Sequence, residues 1–106
     1  MYKPLPESVT IKQSGINGLG LFADQKIMHG TNLGMSHLKI GDTIFRTPLG
    51  GFINHSNTPN CLKVELRLNN TDLQGHQYSY KKWNLIVSQD MKEGDELTVR
   101  YTFYKI

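Results

Sequence analysis

The sequence contains a single cysteine, Cys61, so no disulfide can form within one chain. It has no CxxC pair, and its four histidines show neither HxxxH nor HExxH spacing, so we expect no metal site. No apolar run approaches the roughly 20 residues that a transmembrane helix needs. The first six residues lack the charged and then apolar pattern of a signal peptide. We therefore expect no membrane span and a location inside the cell that makes the protein, in the cytoplasm or host-cell interior.

The bulk composition predicts one ordinary globular domain. The chain has 106 residues, of which 38% are hydrophobic and 20% are charged, so residues 1–106 are expected to form a single domain. The net charge is +3, but the lysines and arginines are scattered along the chain and form no dense basic run. A solvated surface is the simpler interpretation of this charge, and the sequence does not favour a nucleic-acid partner.

The apolar pattern predicts short strands rather than long helices. The clearest strand is 62–68, where leucine and valine occupy every second place and therefore share one face. Val9 to Lys12 alternates in the same way, and Asn17-Gly18 after it is a good hairpin turn. A last strand over 97–101 places Leu97, Val99 and Tyr101 on one face. Further strands are predicted over Thr31–Met35, Leu38–Ile40, Thr43–Arg46 and Tyr78–Ser88, with helix limited to a turn or two. The fold class is mainly β.

Three segments carry residues suited to chemistry. Residues 17–23, NGLGLFA, contain glycines that let backbone amides approach a ligand closely, although alone they read as a plain turn. Residues 52–61, FINHSNTPNC, offer consecutive donors and acceptors, although such a loop often satisfies only its own backbone. Residues 93–101, EGDELTVRY, run from an acidic turn into a strand that ends in tyrosine, which alone indicates a packed aromatic.

Taken together and in this order, GLGLFA, NHSxxPNC and GDELTVRY resemble the SET-domain protein-lysine methyltransferases, and the resemblance extends over about residues 9–104. It implies a β-clip fold of several short strands in small sheets. It also implies a C-terminal segment that passes beneath the Asn-His loop in a knot-like arrangement, one of the rare exceptions to unthreaded chains.

The resemblance further implies an activity like that of histone-lysine methyltransferases, with S-adenosyl-L-methionine as cofactor and a lysine-containing protein as substrate. The residues implied to bind the cofactor are Gly18, Leu19, Gly20, Asn54, His55 and Tyr101. The same Tyr101 is implied as the catalytic residue, orienting the amine and the methyl group. The residues implied to line the substrate channel are Phe52, Ile53, Val99, Phe103 and Tyr104.

The chain also departs from the family pattern. Gly50 and Gly51 precede Phe52 where members carry arginine, and only about 30 residues separate Ala23 from Asn54, so the substrate-binding helical insert is expected to be reduced or absent. One cysteine cannot form the zinc segment that closes the channel in many members. We expect the channel to be closed by residues 103–104 or by a second subunit, which makes a homodimer a hypothesis. So compact a domain suits a virus, phage or bacterium better than a chromatin regulator.

Positions that limit the number of methyl groups in the family correspond to Lys63 and Val99. The sequence leaves open whether Lys63 points towards the channel or away from it, because it alternates with Leu62 in the same strand.

Two other functions stay open at this point. A non-catalytic β-clip module could keep the fold and bind a protein or a small ligand. A small β-barrel that binds nucleic acid is suggested only by the mild basicity and by three aromatic residues expected to be exposed, Tyr78, Tyr80 and Trp83.

Overall fold

The computed structural model describes residues 5–101, and these residues form strands with one short helix. The elements in chain order are β1 (Val9–Gln13), β2 (Leu19–Ala23), β3 (Asn32–Ile40), β4 (Thr43–Arg46), α1 (Pro48–Gly51), β5 (Asn54–His55), β6 (Cys61–Thr71), β7 (Gln77–Val87) and β8 (Thr98–Val99). The prediction of a mainly β fold built from small sheets is confirmed. Among these elements, no helix is long and apolar enough to cross a membrane.

The strands form three sheets. Strands β1 and β2 make an antiparallel hairpin, β4-β3-β7-β6 make an antiparallel sheet in that order, and β5 pairs with β8 in parallel. The predicted turn of the first hairpin is present, with Gly18 at a φ of 47° and the Ser14 N–H donating to the Gly18 carbonyl over 2.7 Å. Positive φ is the conformation that glycine adopts without a steric cost.

Strand β3 is continuous where two short strands were predicted. Its pairing with β7 shifts register between Asn32 and Gly34 and again between Met35 and His37. Each irregularity interrupts the alternation of side chains between the two faces. The sequence pattern of β3 is therefore broken in the middle, although the strand itself is not.

Strands β6 and β7 also extend further than the apolar pattern indicated. The polar residues Asn69 to Thr71, which follow the predicted strand 62–68, pair with Gln77 to Ser79 and lengthen the hairpin. Leu62, Val64 and Leu66 do share one face, but they are 53%, 41% and 40% exposed. This outer face of the sheet also carries the exposed Ile40 and Phe45.

The core lies on the other face of the same sheet. Buried side chains of the large sheet pack there with side chains of β2, β8 and α1, and the cluster comprises Val9, Leu21, Ala23, Ile27, Leu33, Leu49, Ile53, Cys61, Leu85, Val87, Met91, Leu97 and Val99. Because β5 and β8 each continue from a buried core residue, Ile53 and Leu97, the core fixes the position of both short strands.

Candidate active site

The three predicted segments meet at the side chain of Asn54. Its amide nitrogen lies 2.9 Å from a carboxylate oxygen of Glu96, 3.1 Å from the Ser14 hydroxyl and 3.1 Å from the Asn17 carbonyl oxygen. The residue is buried, and an amide nitrogen with two hydrogens is shared among these acceptors. Asn54 therefore ties the glycine turn and the C-terminal acidic motif to the Asn-His loop.

Glu96 and Ser14 complete this polar cluster. The Ser14 hydroxyl lies 2.8 Å from both carboxylate oxygens of Glu96 and accepts a bond from the Ile16 N–H over 2.9 Å. A Cβ added to Gly20 would meet the Glu96 carboxylate and would lie 3.1 Å from the Asn54 amide nitrogen. The glycine at position 20 is thus explained by its close packing against these two side chains, and not by backbone conformation, because its φ is not positive.

The loop that follows Asn54 holds the C-terminal segment in place. The Asn60 side chain accepts a bond from the Thr98 N–H and donates one to the Glu96 carbonyl, both at 2.9 Å. The Arg100 guanidinium donates to the Asn57 carbonyl over 2.6 Å. These contacts bring residues 96–101 alongside the loop, and the knot-like passage stays a prediction.

Tyr101 is held at both its backbone and its hydroxyl. The Tyr101 hydroxyl donates to the Ile53 carbonyl over 2.6 Å, and its backbone N–H donates to Nδ1 of His55 over 2.8 Å. An accepting Nδ1 places the proton of a neutral His55 on Nε2, which lies 3.2 Å from the Asn57 side-chain oxygen. The two rings are 5.2 Å apart, and Tyr101 remains 52% exposed. His55 thus orients Tyr101, whose ring stays accessible from solvent.

Lys63 points towards Tyr101, which answers the question that the sequence left open. Its ammonium nitrogen lies 5.9 Å from the centre of the Tyr101 ring, a cation–π distance. Burial and, second, the nearby Arg46 charge lower the pKa of Lys63. The pKa of His37 is lowered to about 4 by its own burial, followed by the charges of Lys63 and Arg46. Lys63 and Arg46 thus add positive charge to the face of the sheet next to Tyr101.

The other predicted site residues lie around this centre in different environments. Leu19 and Phe52 are exposed, whereas the side chains of Ile53 and Val99 belong to the buried core. Ile53 reaches the site through its carbonyl oxygen. The predicted channel residues Phe103 and Tyr104 lie outside the described residues.

Some residues with a clear role were not assigned one from the sequence. The site is held together by hydrogen bonds of Ser14, Asn60 and Glu96. Two of these residues, Asn60 and Glu96, lie within the segments that carry the family resemblance. Their position in those segments was the available signal. Ser14 lies outside them and offered none.

Trp83 was expected to be exposed, but it is buried on the core face of β7, between the neighbouring strands β3 and β6. Of the other two aromatic residues, Tyr80 is half-buried and Tyr78 is exposed. The aromatic surface on which nucleic-acid bases would stack is therefore smaller than expected. Across residues 5–101, no three His, Cys, Asp or Glu side chains are grouped as metal ligands. The Cys61 thiol is fully buried, and burial raises its pKa to about 12.

The chain is similar to known proteins in its sequence family and in its fold. The family model of the SET domain matches residues 35–102, well over half of the chain, so this protein belongs to the SET-domain family. A crystal structure from Plasmodium falciparum, of a protein described as a "putative histone methyltransferase", has the same fold with a TM-score of 0.64. It is 14% identical, and the match covers 92% of this chain and 95% of that one. No curated protein sequence matches the chain. Family and fold together support lysine methylation as the general class of activity.

Proposed function

We propose that this protein transfers methyl groups from S-adenosyl-L-methionine to lysine side chains of a protein substrate. The observation that carries the proposal is the arrangement around Tyr101, whose hydroxyl donates to the Ile53 carbonyl while its backbone donates to His55. When a hydroxyl donates its hydrogen bond to a carbonyl, the lone pairs of the hydroxyl oxygen remain available to accept a bond from another donor. The amine of an incoming lysine is such a donor.

The residues present fit the cofactor by their chemistry. S-adenosyl-L-methionine carries a positive sulfonium and a positive ammonium, and the site offers electron-rich groups to both. These are the Glu96 carboxylate, the Ile53 carbonyl and the Tyr101 ring. Leu19 and Gly20 lie next to Asn54, Gly18 precedes them in the turn, and the three residues leave backbone groups close to the site. In this proposal these three residues, with Asn54, His55 and Tyr101, hold the cofactor.

Charge and burial prepare the lysine for attack. The ordinary pKa of a lysine is about 10.4, so its amine must lose a proton before it can act as a nucleophile. When bound, the cofactor supplies a methyl group on a positive sulfur. The Arg46 charge, which lowers the pKa of Lys63 next to Tyr101, disfavours an ammonium there and so favours the neutral amine. Exclusion of water by the bound substrate acts in the same direction.

Tyr101 and Ile53 then act by position. The Tyr101 oxygen accepts an N–H of the amine and so directs the nitrogen lone pair away from itself. The Ile53 carbonyl has a second lone pair, which can accept weak C–H contacts from a polarised methyl group. Holding reacting atoms at about 3 Å in line supplies several kcal/mol towards the barrier. In this proposal the substrate channel is lined by Phe52, Ile53, Val99, Phe103 and Tyr104.

The proposal is tested by incubating the full chain with methyl-labelled S-adenosyl-L-methionine and a mixture of host proteins, and by measuring cofactor binding calorimetrically in parallel. We expect labelled lysine in the acceptor proteins together with measurable cofactor binding. A chain that binds no cofactor and transfers no label would instead be the non-catalytic β-clip module, and the proposed function would be wrong.

A homodimer is the second part of the proposal. The exposed apolar side chains of the outer face, Leu62, Val64, Leu66, Ile40 and Phe45, support a contact between copies, because so many neighbouring apolar groups on one surface favour association. That face is turned away from Tyr101, so channel closure does not follow from it. Sedimentation at working concentration should give a dimer, and a fully active monomer would contradict this part.

A further inference from the structure

We propose that Lys63 is itself a methyl acceptor, so that the protein methylates its own chain at this residue. The inference rests on the proposed function, because it uses the same donor and the same Tyr101. It arises from one feature of the site: a lysine of this chain has its amine nitrogen 5.9 Å from the centre of the Tyr101 ring.

The geometry places the Lys63 amine next to Tyr101 and separates it from two other lysines of the sheet, Lys81 and Lys82. Lys63 lies on the same face of β6 as the buried Cys61, and its nitrogen is 5.9 Å from the centre of the Tyr101 ring. Lys82 of the neighbouring strand pairs with Leu66 and therefore lies on the outer face. Lys81 is on the core side, but its nitrogen lies 3.7 Å from the Glu65 carboxylate further along the hairpin.

The protonation state favours Lys63 in the same way. Half-burial and the Arg46 charge lower its pKa, so a larger share of this amine is neutral at a given pH than of an exposed lysine. The acid of this face, Glu65, lies 3.7 Å from both Arg67 and Lys81. Its charge is thus directed to those two cations and does little to hold Lys63 as an ammonium.

The step is balanced with the proposed donor alone. The lone pair of the neutral Lys63 nitrogen forms a bond to the methyl carbon while the bond from that carbon to sulfur breaks. Sulfur keeps the electron pair and becomes a neutral thioether. The nitrogen gains a positive charge and becomes a methylammonium, while the proton that the original ammonium carried has gone to water before the attack. Rotation about the four side-chain bonds of lysine lets the amine move from its cation–π position towards the Tyr101 oxygen.

The test uses the full chain with methyl-labelled S-adenosyl-L-methionine and no other protein, followed by mass analysis of the peptide that contains residue 63. We expect one methyl increment on Lys63, with a rate per molecule that does not change on dilution, because the acceptor is on the same chain. Lys63→Arg should lose this label and keep the positive charge. Lys82→Arg, on the outer face of the same sheet, should label as the unaltered chain does.

A second readout requires no turnover. In a chain with ¹⁵N-labelled lysine, addition of S-adenosyl-L-homocysteine, which has no methyl group to give, should shift the Lys63 side-chain nitrogen resonance and leave that of Lys82 in place. Label on foreign proteins with an unmodified Lys63 and an unshifted resonance would overturn this proposal while the proposed function stands. Absence of cofactor binding and of all label would overturn the proposed function, and this proposal with it.

Discussion

The hydroxyl of Tyr101 donates a hydrogen bond of 2.6 Å to the carbonyl oxygen of Ile53, which precedes it by 48 positions. This bond joins the end of the C-terminal segment to the residue just before the Asn-His pair. It sets the direction of the only proton that the hydroxyl can donate. The chemical proposal for Tyr101 follows from that direction, because the oxygen is left as an acceptor.

The Asn54 cluster predicts a stability effect. Asn54→Ala should lower the free energy of unfolding by about 1–3 kcal/mol, because the partly buried Glu96 carboxylate and Ser14 hydroxyl lose their shared donor. Urea unfolding would measure it. Asn69→Ala, at an exposed position of the β6–β7 hairpin, is the matched control and should cost much less. If the two variants lost equal free energy of unfolding, the Asn54 hydrogen bonds would not stabilise the site as described.

Alanine substitutions of the two glycines before Phe52 should have opposite effects on stability. A Cβ at Gly50 would meet the Ser36 carbonyl oxygen and would lie 2.7 Å from a ring carbon of His37, whereas a Cβ at Gly51 meets nothing within 4 Å. Gly50→Ala should therefore destabilise the fold by about 1–3 kcal/mol, as overpacking does. Gly51→Ala should be neutral or stabilising by up to about 1 kcal/mol, because alanine is the better helix residue. Thermal unfolding of the pair compares them, and a tolerated Gly50→Ala would contradict the packing described.

His37 predicts a pH dependence of stability. Its pKa falls from 6.5 to about 4 on folding, mainly through burial, so between these values the unfolded chain binds a proton that the folded chain does not. Stability should thus decrease as the pH falls from about 6.5 to about 4, by at most about 3 kcal/mol. Denaturant midpoints at several pH values would measure this slope. His37→Gln should flatten it, and His29→Gln, at an exposed position, should not.

Cys61 predicts slow thiol chemistry. The side chain is fully buried, and burial raises its pKa to about 12, so almost no thiolate is present near neutral pH. A disulfide reagent such as Ellman's should react with the folded chain only at the rate at which the core opens, and at once in denaturant. Rapid labelling of the native protein would show that the core around β6 is not closed as described.

Much of the fold could be predicted because the evidence for it was local. The first hairpin follows from Asn17-Gly18, and the leucines of 62–68 share a face as their alternation indicated. Alternation alone does not say which face meets the core, and here the apolar side of β6 is the exposed one. The two register shifts in β3 hid a continuous strand for a similar reason, since a bulge breaks the period that identifies a strand.

Some residues of the candidate site were named from sequence motifs, but the contacts between them were not predicted. Asn54, His55 and Tyr101 were named: His55 contacts Tyr101, and Asn54 precedes His55 in the same short strand. The partners that hold Asn54, namely Ser14 and Glu96, are 82 positions apart, and no local pattern indicates such a pairing. The direction of Lys63 depended on which face of β6 meets the core, so only the three-dimensional arrangement could decide it.

The most direct measurement is the rate of methyl transfer by the Tyr101→Phe chain, with cofactor affinity measured on the same sample. Loss of the hydroxyl should slow transfer by roughly 100-fold or more, as for comparable positioned groups, while cofactor binding persists. Tyr78→Phe, an exposed tyrosine at the far end of β7, should transfer at the unaltered rate. An unchanged rate in Tyr101→Phe would contradict the role given to this residue and, with it, the central claim.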